Sequence, residues 1–223
     1  MSSLTCRLRL FSCGHGRCDI LSYWVRLDLP LQLPAPSAGT ITRELPYTHF
    51  TILLDPVRRL AIATGVNING DQLIDVDRGD DWHLDPRIPN NEQTGEAVYA
   101  KNDLDRGHLV RRRDPVWGDA ATAQQANADT FTYTNAAPQA GAFNQSKELW
   151  LGLEDHVLTY AHTNKNRISV FTAPVLFEED PVYRGVRVLQ LFWKVAAWTT
   201  TVDCHCSSSR WVRLGSKAAA GRS

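Results

Sequence analysis

The sequence predicts an α+β fold built around an antiparallel sheet, and three observations lead to that prediction. Short apolar runs rich in β-forming residues recur along the chain, at 50–54, 60–63, 168–172 and 188–195. One segment, 144–160, has the apolar spacing of a good helix. Many short strands without a regular alternation of helices are typical of an antiparallel sheet.

Each element follows from its local pattern. The first two apolar runs flank Asp55 and Pro56, which favour turns, so they predict a hairpin. Segment 71–93 is rich in Asp, Pro and Asn and has little periodicity, so we expect a long loop there. Segment 130–134 alternates Thr with Phe and Tyr, which predicts a strand. In the helical segment, the apolar positions are Leu149, Trp150, Leu153, Val157 and Tyr160.

The compact domain is expected at residues 41–200, between two ends of different composition. Residues 29–37 contain three prolines, which deny the chain regular hydrogen bonds, so we interpret residues 1–40 as an extension with a proline-rich connector. Residues 201–223 are rich in Ser, Ala, Gly and basic residues, which is typical of a mobile tail. All five cysteines lie in these ends, and their spacing does not match the usual Cys-x2-4-Cys pairs of zinc sites.

Composition excludes several classes of protein. The chain has 223 residues, with 24 Lys and Arg against 24 Asp and Glu, which is typical of a globular protein and not of a disordered or coiled-coil chain. A formal net charge of zero argues against coating of nucleic acid through bulk attraction. No apolar run reaches the ~18 residues of a membrane span, so no membrane partner is expected. The chain shows no clear signal peptide, which favours the cytoplasm over secretion and leaves the compartment otherwise unknown.

The most distinctive feature is a four-residue motif followed by an arginine run: Asp105-Arg106-Gly107-His108 and Arg111-Arg112-Arg113. A histidine accepts a proton near neutral pH, an aspartate just upstream can orient nearby groups, and a glycine allows a sharp backbone turn. Clustered arginines favour anion binding, because the guanidinium fork matches phosphate oxygens. A charged turn exposed to solvent is the alternative explanation.

A second polar cluster lies downstream, in Thr134-Asn135-Ala-Ala-Pro138-Gln139 and Phe143-Asn144-Gln145. Asn144 stands where the predicted helix begins, so helix capping alone would explain it. Its amide oxygen also suits Mg²⁺, a hard cation that keeps most of its waters. Glu154, further along the predicted helix, is placed to hold one of those waters.

Together these clusters resemble the DNA/RNA non-specific endonucleases, the family of mitochondrial endonuclease G and secreted bacterial nucleases. The resemblance covers residues 41–198, and its ordered set of segments is more specific than any single motif. It implies a ββα-metal finger, in which two strands and a helix hold one divalent ion. The further segments that resemble the family are Leu45-Pro-Tyr-Thr-His-Phe50, Trp82-His-Leu-Asp85-Pro86, Val170-Phe-Thr-Ala-Pro174 and Phe192-Trp-Lys-Val195.

The resemblance implies a role for each matching residue. His108 matches the general base that activates the attacking water, and Arg106 matches an arginine near the phosphate. Asn144 matches the single direct protein ligand of Mg²⁺, or Mn²⁺ in its place. Asn135 matches a further asparagine of the site, and Glu154 matches the glutamate that supports the water shell of the metal.

The spacing around the predicted helix departs from the family. Four residues, 146–149, separate the Asn-Gln pair from Trp150, where the family usually has two. On an ideal helix this moves Glu154 by about half a turn relative to Asn144, so Glu148 is an alternative partner for the metal-bound water.

Two further positions concern the edges of the resemblance. The family has an arginine shortly before the Trp-x-x-Asp-Pro segment, and Arg78, four residues before Trp82, is the candidate. After Trp198 the resemblance stops, so the closing edge of the fold is not predicted.

These roles imply a sequence-non-specific, Mg²⁺-dependent endonuclease that hydrolyses phosphodiester bonds of DNA and RNA. His108 would act as general base, and Arg106 and Arg78 would stabilise charge on the phosphoryl oxygens. Phosphate contacts carry little sequence information, so we expect little sequence preference and both DNA and RNA as substrates. The remaining candidate substrate contacts are Arg111, Arg112 and Arg113.

Two other functions stay open at the level of sequence. The chain could be a catalytically impaired nucleic-acid-binding protein on the nuclease scaffold, or a zinc-dependent structural domain organised by its cysteine-rich ends. Family analogy also implies a homodimer.

Overall fold

The computed structural model describes most of the central part of the chain and short stretches near its ends. Asn144, Glu148 and all five cysteines lie outside the described residues. The described ranges are 23–26, 29–31, 33–36, 39–140, 150–198 and 214–215.

Most regular elements of the described residues are strands. The strands are β1 (Tyr23–Arg26), β2 (Leu29–Leu31), β3 (Arg43–Tyr47), β4 (Phe50–Asp55), β5 (Leu60–Asn69), β6 (Leu104–His108), β7 (Ala136–Ala140), β8 (Arg167–Val175), β9 (Val182–Tyr183), β10 (Val186–Arg187), β11 (Leu191–Trp198) and β12 (Leu214–Gly215). The helices are α1 (Glu96–Tyr99), α2 (Ala120–Asp129) and α3 (Trp150–Asn164), with short 3-10 turns at Asn90–Glu92 and Tyr133–Asn135.

A six-stranded antiparallel sheet forms the centre of the fold, in the order β12-β11-β8-β5-β4-β3. The predicted hairpin at Asp55 is confirmed: its Oδ1 accepts hydrogen bonds from the backbone amides of Val57 and Arg58, which closes the turn between β4 and β5. The α+β class with a central antiparallel sheet is therefore confirmed.

The main core lies on the face of the sheet that also receives the β6–β7 pair and α3. Phe50 and Ile68 from the sheet, Ala137 from β7 and Leu158 from α3 belong to one buried cluster. A smaller cluster, centred on Leu53, covers the opposite face. The site described below is thus fixed to the sheet by apolar packing.

Helix α3 confirms the described part of the predicted helix, and it ends where the chain adopts a left-handed conformation. Lys165 has a φ of 52°, and the amide of Asn166 donates to the carbonyl of Ala161 at 2.9 Å. This is the usual way to satisfy the free carbonyls of a helix end. β6, β7 and α3 together give the ββα order that the resemblance implies.

Three predictions of local structure need correction. Segment 130–134 is not a strand: the hydroxyls of Thr130 and Thr132 cap the end of α2, and a 3-10 turn follows. Residues 29–31, expected in the proline-rich connector to lack regular hydrogen bonds, form β2, which pairs with β1. The strand expected at 188–195 begins only at Leu191 and extends to Trp198.

The C-terminal edge of the sheet is closed by β12, which pairs with the start of β11 at Leu191 and Phe192. Most of the expected mobile tail lies outside the described residues. In the part of the chain that the structure describes, no helix has the length and apolar character needed to cross a membrane.

Candidate active site

The Asp105-Arg106-Gly107-His108 motif forms most of β6, which pairs with β7. Side chains alternate along a strand, so Arg106 and His108 share one face and Asp105 and Gly107 share the other. Gly107 lies in the strand without a positive φ, so the expectation of a sharp turn at this glycine is wrong. The alternative of an exposed charged turn is wrong for the motif itself, whereas residues 112–115 do form a turn and Arg113 in it is exposed.

Gly107 is needed because the side chain of Gln139 occupies the space where a Cβ would lie. An ideal Cβ on Gly107 would be 2.1 Å from Oε1 and 2.2 Å from Cδ of Gln139. Gln139 is fully buried, so its side chain has little room to move away. The glycine of the motif thus permits close packing of β6 against β7.

Replacement of Gly107 by alanine is expected to destabilise the fold by about 1–3 kcal/mol, because the methyl group overpacks this contact. Urea denaturation of Gly107→Ala would measure the loss, and a second change, Gln139→Ala, should recover part of it. Gly79→Ala is the control, since its Cβ would meet neighbours only at 3.7 Å. A Gly107→Ala protein as stable as Gly79→Ala would contradict the packing explanation.

His108 is surrounded by aromatic rings and held close to two cationic side chains. Its ring lies 4.8 Å from the Trp82 ring and 5.3 Å from the Phe131 ring, measured between centroids. Its Nε2 is buried and has no hydrogen-bond partner among the described residues. Burial, together with the nearby charges of Arg78 and Arg112, lowers the pKa of His108 to about 3. The imidazole is therefore neutral at physiological pH.

The low pKa of His108 gives a pH dependence of stability with a definite sign. An unfolded histidine titrates near 6.5 and the folded one near 3, so the unfolded state gains the proton first as pH falls. The neutral His108 imidazole therefore makes its full contribution to the free energy of unfolding above pH 6.5. This contribution is lost progressively as the pH falls from about 6.5 to 3. We expect wild type to lose about 1–2 kcal/mol more than His108→Gln between pH 7.5 and pH 5 in urea denaturation. Parallel pH curves for the two proteins would contradict this.

Arg106 lies in a pocket of aromatic rings and forms an ion pair. Its guanidinium carbon is 5.8 Å from the centroid of Trp82, 5.6 Å from Tyr99 and 6.0 Å from Tyr133. Its Nη2 donates to the carboxylate of Glu96, which also accepts a 2.5 Å hydrogen bond from Tyr133. The rings orient the guanidinium on the same strand face as His108.

Asn135 is completely buried and its amide binds backbone groups. Oδ1 accepts from the amide of Val110 at 2.9 Å, and Nδ2 donates to the carbonyls of Val110 and Thr130, both at 3.0 Å. Its own carbonyl accepts from the amide of Leu109 at 3.0 Å. These hydrogen bonds fix the backbone immediately after His108, so Asn135 has a structural role in supporting the motif.

The arginine run is engaged with protein partners. Arg112 donates to the carbonyl of Val76 and to Asn127, each at 3.0 Å, and Arg113 pairs with exposed Asp75 at 2.7 Å. These contacts connect the run to the loop that carries Arg78. Arg78 is exposed, and its charge reaches the imidazole of His108.

Glu154 belongs to a buried ionic cluster. Its Oε1 accepts from Nζ of Lys194 at 2.8 Å, and its Oε2 lies 3.9 Å from Nε of Arg111. Arg111 also pairs with Asp155. Burial raises the pKa of the Asp114 carboxyl to about 7, although Lys194 and Arg111 oppose the shift. The ionic cluster of Arg111, Asp114, Glu154 and Lys194 joins the segment after His108 to α3 and β11.

The described residues do not form a closed protein site for a metal ion. Within the described residues, no group of three His, Cys, Asp or Glu side chains is placed to hold a metal. Gln139 has a buried amide without a hydrogen-bond partner among the described residues, but it packs against Gly107 on the face of β6 opposite His108. β7 ends at Ala140, and residues 141–149 follow. A site with few protein ligands and several waters fits Mg²⁺. The proposed ligand Asn144 lies in those residues.

Sequence reasoning missed several side chains of this region. Trp82 contacts His108 and Arg106, and Lys194 neutralises Glu154. Both lie in segments that resemble the family, but without an assigned role. A lysine between apolar residues of a strand-like run was the available signal for Lys194, since buried lysines need a partner.

Comparison with known proteins shows the family directly. The family description "DNA/RNA non-specific endonuclease" matches residues 32–214. The Sinorhizobium fredii protein "Uncharacterized protein y4fB" is 44% identical over 179 residues, which cover 76% of this chain and 27% of that protein. Mitochondrial Endonuclease G of Bos taurus is 32% identical over 95 residues, covering 43% of this chain and 29% of the relative.

A second nuclease is similar in sequence, and a solved structure is similar in fold. Nuclease C1 of Cunninghamella echinulata var. echinulata is 30% identical over 142 residues, covering 61% of this chain and 53% of that nuclease. A solved structure of the EndoG/EndoGI complex has a chain that matches with a TM-score of 0.57 at 20% identity, covering 70% of this chain and 68% of that one. The chain spans between about a quarter and a half of the length of these curated relatives. Because the family match covers most of its residues, the chain belongs to the DNA/RNA non-specific endonuclease family.

Proposed function

We propose that this chain is a metal-dependent endonuclease that hydrolyses phosphodiester bonds of DNA and RNA without sequence preference. The observation that carries the proposal is the shared face of β6, where a neutral His108 lies beside Arg106 in a ββα arrangement. Family membership and the similarity to two nucleases support the same reaction.

His108 would act as the general base. A neutral imidazole has one unprotonated ring nitrogen, which can take a proton from the attacking water. With a pKa near 3 in the free protein, it would be a weak base. A bound phosphate would offset part of the positive field from Arg78 and Arg112, which raises the pKa of His108 towards the working range.

Arg106 and Arg78 would bind the phosphate and stabilise the negative charge that develops on its oxygens. Arg106 already binds a carboxylate, Glu96, whose side chain is largely exposed. A substrate phosphate could replace Glu96 as the partner of Arg106 at little cost in free energy, because exposed ion pairs are weak. The three arginines of the run already have protein partners, so we propose only a secondary role for them, as contacts along the nucleic-acid backbone. They are Arg111, Arg112 and Arg113.

Asn144 would hold the divalent ion, with Mg²⁺ or Mn²⁺ as the candidates. The ion, when bound, supplies Lewis acidity and stabilises the leaving 3′-oxygen. Lys194 and Arg111 balance the negative charge of Glu154 and fix its carboxylate in place. This fixed carboxylate would accept a hydrogen bond from a metal-bound water. Glu148 remains the alternative for that role.

The metal requirement provides the test. Supercoiled plasmid and single-stranded RNA incubated with the full chain and Mg²⁺ or Mn²⁺ should both be cleaved, and EDTA should abolish cleavage of both. Readdition of Mg²⁺ in excess should restore it. Binding in a gel-shift assay without cleavage, across several divalent ions, would instead support the impaired nucleic-acid-binding protein and refute the enzyme.

A further inference from the structure

Two aromatic rings, those of Trp82 and Phe131, pack against the His108 ring. Strand alternation directs the Asp105 side chain to the opposite face of β6, away from the His108 face. In hydrolases that use a histidine base, a carboxylate commonly orients the imidazole. Here the ring packs between Trp82 and Phe131 instead.

The three rings form a mutually supporting set. Trp82 contacts His108 at 4.8 Å with an interplanar angle of 56°, and it meets Phe131 edge to face at 5.4 Å and 81°. Phe131 meets His108 edge to face at 5.3 Å and 87°. Tilted and edge-to-face contacts are the favoured geometries of aromatic pairs, so each ring limits the rotation of the other two.

Trp82 also contacts the second residue of the same strand face. Its ring lies 5.8 Å from the guanidinium carbon of Arg106 and 5.6 Å from the Tyr133 ring. It therefore bridges the proposed base and the proposed phosphate ligand. A displacement of Trp82 would change the position of both groups together.

The backbone around Trp82 is well anchored, although it belongs to a long loop. The amide of His83 donates to the carbonyl of Phe131 at 3.1 Å, and the amide of Tyr133 donates to the carbonyl of His83 at 2.9 Å. Two residues further on, buried Asp85 binds Tyr47 at 2.5 Å and Arg87 at 2.6 Å. The loop thus presents the indole to β6 from a fixed position.

We propose that Trp82 is a positioning residue of the active site, which holds the His108 imidazole and the Arg106 guanidinium at a fixed separation and so replaces an orienting carboxylate. The inference rests on the proposed function, because it assigns a role in the same reaction. It predicts that the aromatic ring matters and that the indole N–H does not.

The test compares Trp82→Phe and Trp82→Leu with Trp117→Leu. Trp117 is the matched control, since it is a partly buried tryptophan stacked at 3.4 Å on another histidine, His49. Steady-state cleavage should show kcat of Trp82→Leu lowered roughly 10- to 100-fold, with KM within about twofold of wild type, because misplacement of a catalytic group affects the chemical step. Trp82→Phe should recover most of kcat. If Trp82→Leu has the kcat of Trp117→Leu at a similar Tm, the proposal is wrong.

A second readout does not depend on cleavage. NMR titration of ¹³C-labelled histidine, with His108 assigned from His108→Gln, should show no titration of this ring between pH 8 and 5 in wild type. In Trp82→Leu its midpoint should move up towards 6.5, since one covering ring is gone. Trp82→Phe should lie between them. An unchanged His108 titration in Trp82→Leu would refute the positioning role. If the wild-type protein did not cleave nucleic acid, the proposed function would be wrong. The His108 titration would still show whether Trp82 holds the imidazole ring.

Discussion

Cleavage by His108→Ala should be about 10²- to 10⁴-fold slower than by wild type, with substrate binding retained. The expected loss is the usual contribution of a general base, and Arg106 and the other cationic groups would remain to bind phosphate. Single-turnover nicking of supercoiled plasmid at saturating Mg²⁺ would measure the rate, and fluorescence anisotropy with a labelled oligonucleotide would measure binding.

His162→Ala is the control for this experiment, because His162 is exposed in the last turn of α3. Its rate should match wild type. Added imidazole should partly restore cleavage by His108→Ala, since a small base can enter the space left by the ring. Full activity of His108→Ala would show that the base lies elsewhere.

The largest expected effect on stability is at the buried ion pair of Lys194 and Glu154. The two side chains are 3% and 8% exposed, and their charged atoms are 2.8 Å apart. Lys194→Met leaves the carboxylate of Glu154 buried, with Arg111 at 3.9 Å as its remaining ion-pair partner among the described residues. Loss of one partner of a buried pair typically costs about 3–5 kcal/mol. Urea denaturation at pH 7 should show this loss.

The same substitution at an exposed pair provides the comparison. Lys165 and Asp71 are 3.1 Å apart with side chains 75% and 56% exposed, so Lys165→Met should change stability by less than about 1 kcal/mol. The double variant Lys194→Met/Glu154→Gln should be more stable than Lys194→Met alone, because it removes the uncompensated charge. Equal losses for Lys194→Met and Lys165→Met would show that burial does not govern the interaction.

Local sequence pattern predicted the elements whose apolar residues repeat regularly. The runs on either side of Asp55 became β4 and β5, and the stripe through Val157 and Tyr160 became α3. In these segments, local pattern and tertiary burial agree. Segment 130–134 had an equally regular alternation, but its threonine hydroxyls bind the carbonyls of Asn127 and Asp129 at the end of α2. A local hydrogen bond therefore outweighed strand propensity.

The site was predictable where a motif keeps its residues adjacent in sequence. Arg106 and His108 were recognised together through the resemblance of their motif to the family, whereas the strand that places them on one face was not predicted. Trp82 and Lys194 reach the region from a distant loop and from β11, and their contacts with His108 and Glu154 depend on tertiary structure. The sequence could mark Lys194 as a buried lysine in need of a partner, but neither composition nor spacing identifies Glu154 as that partner or brings Trp82 to His108.

The missing side chain at Gly107 also determines how β6 and β7 align as they fold. A shift of one residue between the strands would exchange the two faces of β6, and Asp105 would take a place among the aromatic rings. Gln139 fits only beside a residue without a Cβ, and Gly107 is the one glycine of β6. Gly107 therefore fixes the register of β6 against β7, so that His108 and not a neighbouring residue of β6 faces the site.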